Sequence, residues 1–149
     1  MTEYQASNPA FVEEIRQSFA KQTIMGLIGA SLTRVEPGVV EITLPYRADL
    51  TQQHGYVHAG IVSAIVDSAG GYAGFTLFPE DSSVLTVEFK LNLLAPASGE
   101  RLIAEGFVVK PGRTLAVTRG EVHAEANGKR MLVALMQQTL IVMRGKADA

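Results

Sequence analysis

The chain has 149 residues, a length that suits one domain with a single hydrophobic core. Hydrophobic residues make up 47% and charged residues 19%, a balance that argues against intrinsic disorder, and the formal net charge of −2 leaves no basic field to hold nucleic acid. The absence of cysteine excludes a disulfide framework, a thiolate nucleophile and a cysteine-ligated metal site.

The first residues, 1–10, lack the basic stretch and apolar core of a signal peptide. No apolar run along the chain reaches membrane-spanning length without a charge. We therefore expect a cytoplasmic protein that does not bind membranes.

Residues 9–21 are predicted to form an amphipathic helix. Apolar side chains recur there at helical spacing, and charged or amide side chains fill the other face. Ser7 or Asn8 can cap this helix at its start. Gly26 and Gly29 are expected to interrupt regular structure after it.

Two strands are predicted next, over 32–35 and 39–44. The sequence Pro37-Gly38 between them is a strong turn signal. Residues 51–60 are rich in polar side chains and glycine, which predicts a loop.

The segment 58–79 is predicted to be a central helix enclosed by a sheet, because Asp67 is its only Asp, Glu, Lys or Arg. The helical neighbours of Asp67 are all small: Gly60, Ser63, Ala64, Gly70, Gly71 and Gly74. Each glycine destabilises a helix by ~1 kcal/mol relative to alanine, so a ligand or another backbone is expected to approach closely there. The alternative is that Asp67 pairs locally and the glycines only allow tight helix–sheet contact.

Four strands are predicted in the remainder of the chain, over 83–94, 101–110, 114–125 and 130–143. In the first of them, Leu85, Val87, Phe89 and Leu91 alternate with Thr86, Glu88, Lys90 and Asn92. Pro111-Gly112 and Asn127-Gly128 are turn signals that favour antiparallel pairing. The predicted fold is a single α+β domain, 1–149, in which an antiparallel sheet curls around one long helix.

His58 lies nine residues before Asp67, which on one helix means about half a turn out of phase and roughly 13 Å apart. The two side chains cannot form a dyad within one chain. His58 is better placed at the helix start, where free backbone amides offer a site for an anion or an oxyanion. No metal site is expected, since His54 and His58 lack a carboxylate at ligand spacing.

The run Gln-Gln-His-Gly-Tyr-Val-His-Ala-Gly over 52–60, followed by Asp67, resembles the signature of hotdog-fold acyl-CoA thioesterases of the phenylacetate-degradation (PaaI-like) type. Two further stretches, 86–96 and 112–116, resemble the strand after the family's helix and a later strand turn. The resemblance covers roughly 25–143. It implies a hotdog fold, hydrolysis of acyl-CoA thioesters, and a homodimer or homotetramer.

The resemblance also implies roles for particular residues. Asp67 matches the acid that acts as general base or nucleophile, and His58 matches the motif histidine. Ala59 stands where the family's first glycine offers its N–H to the thioester carbonyl oxygen, and Gly60 matches the second glycine. In the family the helix acid and the loop amide come from different subunits.

Two more positions follow from the same resemblance. Gln52 stands where an Asn usually holds the attacking water, and Thr86 matches a Ser or Thr that supports the water or the carboxylate. Gln52 is one methylene longer than Asn, and Ala59 adds a methyl group, so both changes bear on the choice of substrate.

Coenzyme A carries phosphates and should meet cations at the mouth of the pocket. The candidate residues for binding it are Lys90, Lys110, Gly112 and Arg113. The alternative is that these are ordinary solvated charges. No cofactor is expected beyond the CoA of the substrate, and edge strands over 83–94 are expected to join two subunits.

Two other functions remain open: a hotdog enoyl-CoA hydratase or dehydratase, and a non-catalytic acyl-CoA-binding module. Either would use the same fold and the same ligand class. The acyl group is also open between a medium or long fatty chain and an arylacetyl group.

Overall fold

One long helix lies against a face of a six-stranded antiparallel sheet in the computed structural model, which describes residues 3–146 and 148. The strands are Ser31–Glu36 (β1), Val39–Pro45 (β2), Ser82–Leu93 (β3), Arg101–Lys110 (β4), Leu115–Ala126 (β5) and Lys129–Arg144 (β6). The helices are Phe11–Lys21 (α1), Thr23–Ile28 (α2) and Ala59–Phe75 (α3), with a 3-10 turn at Ala48–Leu50. The strand order β1-β2-β4-β5-β6-β3 confirms the predicted antiparallel sheet around a central helix.

The predicted elements agree with the structure except at their ends and at α2. Gly26 was expected to interrupt regular structure but lies inside α2, because Met25 and Ile28 anchor that short helix in the core. Gly29 ends the helix, with a left-handed φ of 81°. The N-cap of α1 is Ala10, which makes no side-chain capping bond, so the prediction that Ser7 or Asn8 caps this helix is wrong. Asn8 instead accepts a hydrogen bond from the Ala10 N–H at 2.9 Å, one residue before the helix.

The central helix is shorter than the predicted 58–79, because Thr76 closes it. The Thr76 hydroxyl donates to the Ala73 carbonyl at 2.6 Å and accepts from the Gly38 N–H at 2.7 Å. These bonds tie the C-terminal end of α3 to the turn between β1 and β2. The backbone then continues in tighter turns, in which the Leu77 N–H bonds to the Gly74 carbonyl and the Phe78 N–H to the Phe75 carbonyl.

A bulge in β3 changes the predicted alternation of that strand. Its pairing with β6 shifts between Thr86 and Glu88, so Val87 is an extra residue. Thr86 pairs with Leu140 and Phe89 with Gln138, two neighbouring inward positions of β6. Side chains therefore switch faces at the bulge, and Thr86 turns toward α3 rather than away from it.

Glycines on the sheet allow α3 to approach it closely. A Cβ on Gly106 of β4 would overlap the Ala69 carbonyl and lie 2.5 Å from the Gly70 nitrogen. On the helix side, a Cβ on Gly70 or Gly74 would overlap side chains of β6. Tight helix–sheet contact thus accounts for these two helix glycines. It does not account for Gly71, whose Cβ would meet nothing within 4 Å.

We predict that Gly106→Ala lowers the free energy of unfolding by at least about 2 kcal/mol, because the methyl group meets backbone atoms that cannot rotate away. The measurement is urea unfolding. Gly26→Ala is the matched control, since its Cβ has open space, and it should be neutral or stabilising. Equal stability of both variants would contradict this account of the helix–sheet contact.

Candidate active site

Asp67 lies in the middle of α3, half-buried, and is held by two neighbouring strands. Its Oδ1 accepts a hydrogen bond from the Thr86 hydroxyl of β3 at 2.7 Å and another from the Gln138 amide of β6. The sequence predicted Thr86 beside this carboxylate, and the structure brings the two together. Asp67 has no charged neighbour in the sequence of its helix, but in the structure two hydrogen-bond donors hold its carboxylate.

Gln138 was missed by sequence reasoning. It is 1% exposed, and its amide nitrogen also lies 3.2 Å from the Asp67 carbonyl oxygen and 3.1 Å from the Thr86 hydroxyl. Its Oε1 accepts from the Thr118 hydroxyl of β5 at 2.8 Å. A signal was present in the sequence, since Gln138 is a polar residue at an inward position between Met136 and Leu140.

A cleft of about 480 Å³ adjoins Asp67, between α3, α1 and β3. No hydrogen bond to the second carboxylate oxygen, Oδ2, is found within residues 3–146 and 148. One oxygen of Asp67 is thus engaged by the sheet, and the other is left for a ligand. We call this space the Asp67 cleft.

Polar groups line the far side of the Asp67 cleft. The Tyr72 hydroxyl accepts from the Gln22 amide at 2.8 Å and pairs with Ser18 at 3.1 Å. Ser68 donates to Gln22 Oε1 at 3.1 Å. Burial raises the pKa of Tyr72, so the phenol stays neutral and offers hydrogen bonds, while Lys21 and Asp148 add charged groups to the lining of the cleft.

His58 caps the N-terminal end of α3. Its Nδ1 accepts a hydrogen bond from the Gly60 N–H at 2.8 Å, so one of the otherwise unpaired N–H groups of the first turn is satisfied by the ring. The Ile61 N–H bonds to the His58 carbonyl at 2.9 Å. The Ala59 N–H has no acceptor in the described part of the chain, which leaves it available to an external oxygen.

A second cleft of about 390 Å³ lies beside Ala59 and is lined mainly by apolar side chains. Gln52 also lines it, but the Gln52 Oε1 accepts from the His54 N–H at 2.6 Å and so shapes the loop itself. Leu93, the last residue of β3, and Leu94, which follows it, form part of its wall. We call this space the Ala59 cleft.

The two clefts share no residue. Ala59 and Asp67 stand eight positions apart on α3, which is roughly 12 Å along the helix axis. A single chain therefore does not bring the free amide and the free carboxylate oxygen to one point.

The candidate CoA-binding residues fall in two places. Lys110, Gly112 and Arg113 lie at the exposed turn between β4 and β5, where Arg144 donates to the Arg113 carbonyl at 3.2 Å. Lys90 pairs with the outward-facing Gln137 and therefore lies on the face of the sheet opposite α3. Within one chain this separates Lys90 from Asp67.

No three His, Asp or Glu side chains among residues 3–146 and 148 are grouped so that they could hold a metal ion. No helix in that part of the chain is long and apolar enough to span a membrane.

Comparison with known proteins identifies the family of the chain. Residues 54–130 match the Thioesterase superfamily model. A thioesterase family protein from Silicibacter pomeroyi is 48% identical, with a TM-score of 0.89 over 91% of this chain and 99% of that one. PaaI of E. coli shares the fold at 17% identity, with a TM-score of 0.82 over 91% of this chain and 95% of its own. Acyl-coenzyme A thioesterase 13 of Homo sapiens is 26% identical over 72% of this chain and 76% of its own length. The chain belongs to the Thioesterase superfamily and has the PaaI-like hotdog fold.

Proposed function

We propose that this protein hydrolyses acyl-CoA thioesters to a free acid and CoA, with Asp67 as general base or nucleophile. The observation that carries the proposal is the Asp67 carboxylate, which lines an open cleft and is held by two donors through Oδ1 alone. The similarity to the human acyl-coenzyme A thioesterase 13 supports acyl-CoA as the substrate class.

The reaction needs few groups, because a thiolate leaves readily. As a base, Asp67 takes a proton from water while the water oxygen bonds to the thioester carbon. The tetrahedral oxyanion then collapses, the C–S bond breaks, and the thiolate of CoA departs. As a nucleophile, Asp67 Oδ2 attacks the carbon itself, the C–S bond breaks, and the thiolate of CoA departs, leaving a mixed anhydride. Water then hydrolyses the anhydride to the free acid and the Asp67 carboxylate. On either path, an N–H that points at the oxyanion stabilises the transition state by about 3 kcal/mol.

The Ala59 N–H is the proposed oxyanion donor, and it would come from a second subunit. β3 lies at the edge of the sheet, and Leu85, Val87, Phe89 and Leu93 along it are 44% to 57% exposed. A second copy that adds its own β3 would cover this edge.

Antiparallel pairing of two β3 strands would also complete the site. Val84 to Thr86, at the start of β3, border the Asp67 cleft, whereas Leu93 borders the Ala59 cleft. When two copies of β3 pair antiparallel, the start of one meets the end of the other. Each Asp67 cleft would then open onto the Ala59 cleft of the partner subunit, giving two sites per dimer. A homotetramer would be a pair of such dimers.

The supporting roles are proposed as follows. Thr86 holds the carboxylate, and Gln52 shapes the loop at the water position. Gly60 leaves room for the His58 ring, because a Cβ added at Gly60 would lie 3.0 Å from His58 Nδ1. His58 then acts by holding the helix start, so that Ala59 keeps a free N–H.

The two ends of the substrate are proposed to meet different surfaces. The cations Lys110 and Arg113, with Lys90 as a further candidate, would bind the CoA phosphates, and Gly112 would give their turn its shape. The acyl group would be a fatty chain or an arylacetyl group.

Asp67→Asn should lower kcat for the best acyl-CoA substrate at least about 100-fold, because the amide cannot act as a base or a nucleophile. The measurement is release of free thiol from a panel of fatty and arylacetyl-CoA esters. Asp81→Asn makes the same chemical change on an exposed loop and should leave kcat unchanged.

Near-normal turnover by Asp67→Asn would contradict the assignment. Hydration of an enoyl-CoA without thiol release would favour the hydratase alternative. Binding of acyl-CoA with no turnover at all would favour the non-catalytic module.

His58→Ala should lower the free energy of unfolding by about 1 kcal/mol, because Gly60 loses its acceptor. His58→Asn should restore most of that stability, since asparagine is a strong helix cap, and it should retain more activity than His58→Ala. Chemical unfolding and thiol release are measured on both variants. Equal loss of activity in both, with stability intact, would assign the imidazole a direct role in the reaction.

A further inference from the structure

We infer that Gln138, oriented by Thr118, is a positioning residue that decides which oxygen of Asp67 reacts. The inference rests on the proposed function and concerns two residues on β6 and β5 that do not line the Asp67 cleft.

The orientation of the Gln138 amide follows from the chemistry of its neighbours. The carbonyl oxygen of Asp67 and its ionised Oδ1 can only accept hydrogen bonds, so the NH₂ side of Gln138 must face them. The Oε1 atom then points the other way, toward Thr118, and accepts from the hydroxyl at 2.8 Å. A flipped amide would place an oxygen against the carboxylate.

Thr86 completes the assignment of protons. Its hydroxyl proton goes to Asp67 Oδ1, so the Thr86 oxygen can share one of the two amide hydrogens of Gln138, whose nitrogen lies 3.1 Å away. Oδ1 thus receives two donors from the sheet, and its electron density is engaged in both bonds. The reacting oxygen is Oδ2.

Burial makes this arrangement rigid. Thr118 is fully buried, Gln138 nearly so, and they are direct partners across β5 and β6. Gly70 leaves the space that the Gln138 Oε1 occupies, because a Cβ there would overlap that atom. A buried amide costs stability relative to an apolar side chain unless its hydrogen bonds are made, and its neighbours Met136 and Leu140 are apolar. Packing alone does not call for a glutamine here.

The test uses a mutant cycle built on Gln138→Met and Thr118→Val, which keep side-chain size and remove the polar contacts. Gln138→Met should lower kcat about 10- to 100-fold and leave KM within about two-fold of the wild-type value. A carboxylate that is held less firmly places Oδ2 poorly for the chemical step but does not weaken substrate binding. Thr118→Val should lower kcat less, and the double variant should be no worse than Gln138→Met alone, since Thr118 acts through Gln138. Thr118→Ser keeps the hydroxyl and should retain the wild-type rate.

Gln137→Met is the matched control, because the neighbouring glutamine on β6 is exposed on the opposite face of the sheet. Thermal unfolding of every variant separates loss of fold from loss of rate. If Gln138→Met does not fold, the Thr118→Val and Thr118→Ser pair decides the matter.

Wild-type kcat in Gln138→Met, or equal rates in Thr118→Val and Thr118→Ser, would overturn the inference. Multiplicative losses in the double variant would overturn the route from Thr118 through Gln138. If the wild-type protein releases no thiol from any acyl-CoA, the proposed function itself fails, and this result is distinct from the others.

Discussion

The close approach of α3 to the sheet is the constraint on which the rest of the structure depends. Gly106 lets the backbone of the helix lie almost against β4, and Gly70 leaves room for a side chain of β6. With a wider spacing, Gln138 and Thr86 would not reach the Asp67 carboxylate. Gly70 and Gly106 therefore serve the packing first and, through the packing, the orientation of one side chain.

The edge strand β3 connects that packing to assembly. Its bulge at Val87 turns Thr86 inward to Asp67, and its apolar residues remain exposed along the free edge. The strand contributes to the Asp67 cleft near its start and to the Ala59 cleft near its end. In the proposed dimer, the same strand would hold the carboxylate, close the interface and align the two half-sites.

Local signals predicted most of the fold. Pro-Gly and Asn-Gly turns marked the hairpins, and the nearly uncharged segment around Asp67 marked the central helix. The sequence did not predict the features that depend on contacts between residues far apart in the chain. The bond from Gln138 to Asp67 joins residues 71 positions apart, so no spacing rule finds it. The bulge at Val87 is set by pairing with β6, and Thr76 ends α3 through a bond to a distant turn. The roles of the site residues came from the family resemblance and remain predictions.

The central claim is that one chain supplies Asp67 and its partner supplies the Ala59 N–H. Ala59→Pro removes that N–H alone, because proline suits the first helical position and His58 already has the extended ψ of 139° that a following proline requires. The measurement is thiol release from acyl-CoA by Ala59→Pro and Asp67→Asn chains, each alone and after unfolding and refolding together. The account predicts that each variant alone is nearly inactive and that the mixture recovers about a quarter of the wild-type rate, since half of randomly formed dimers regain one of two sites. A mixture no more active than its components, although mixed dimers have formed, would contradict the shared site.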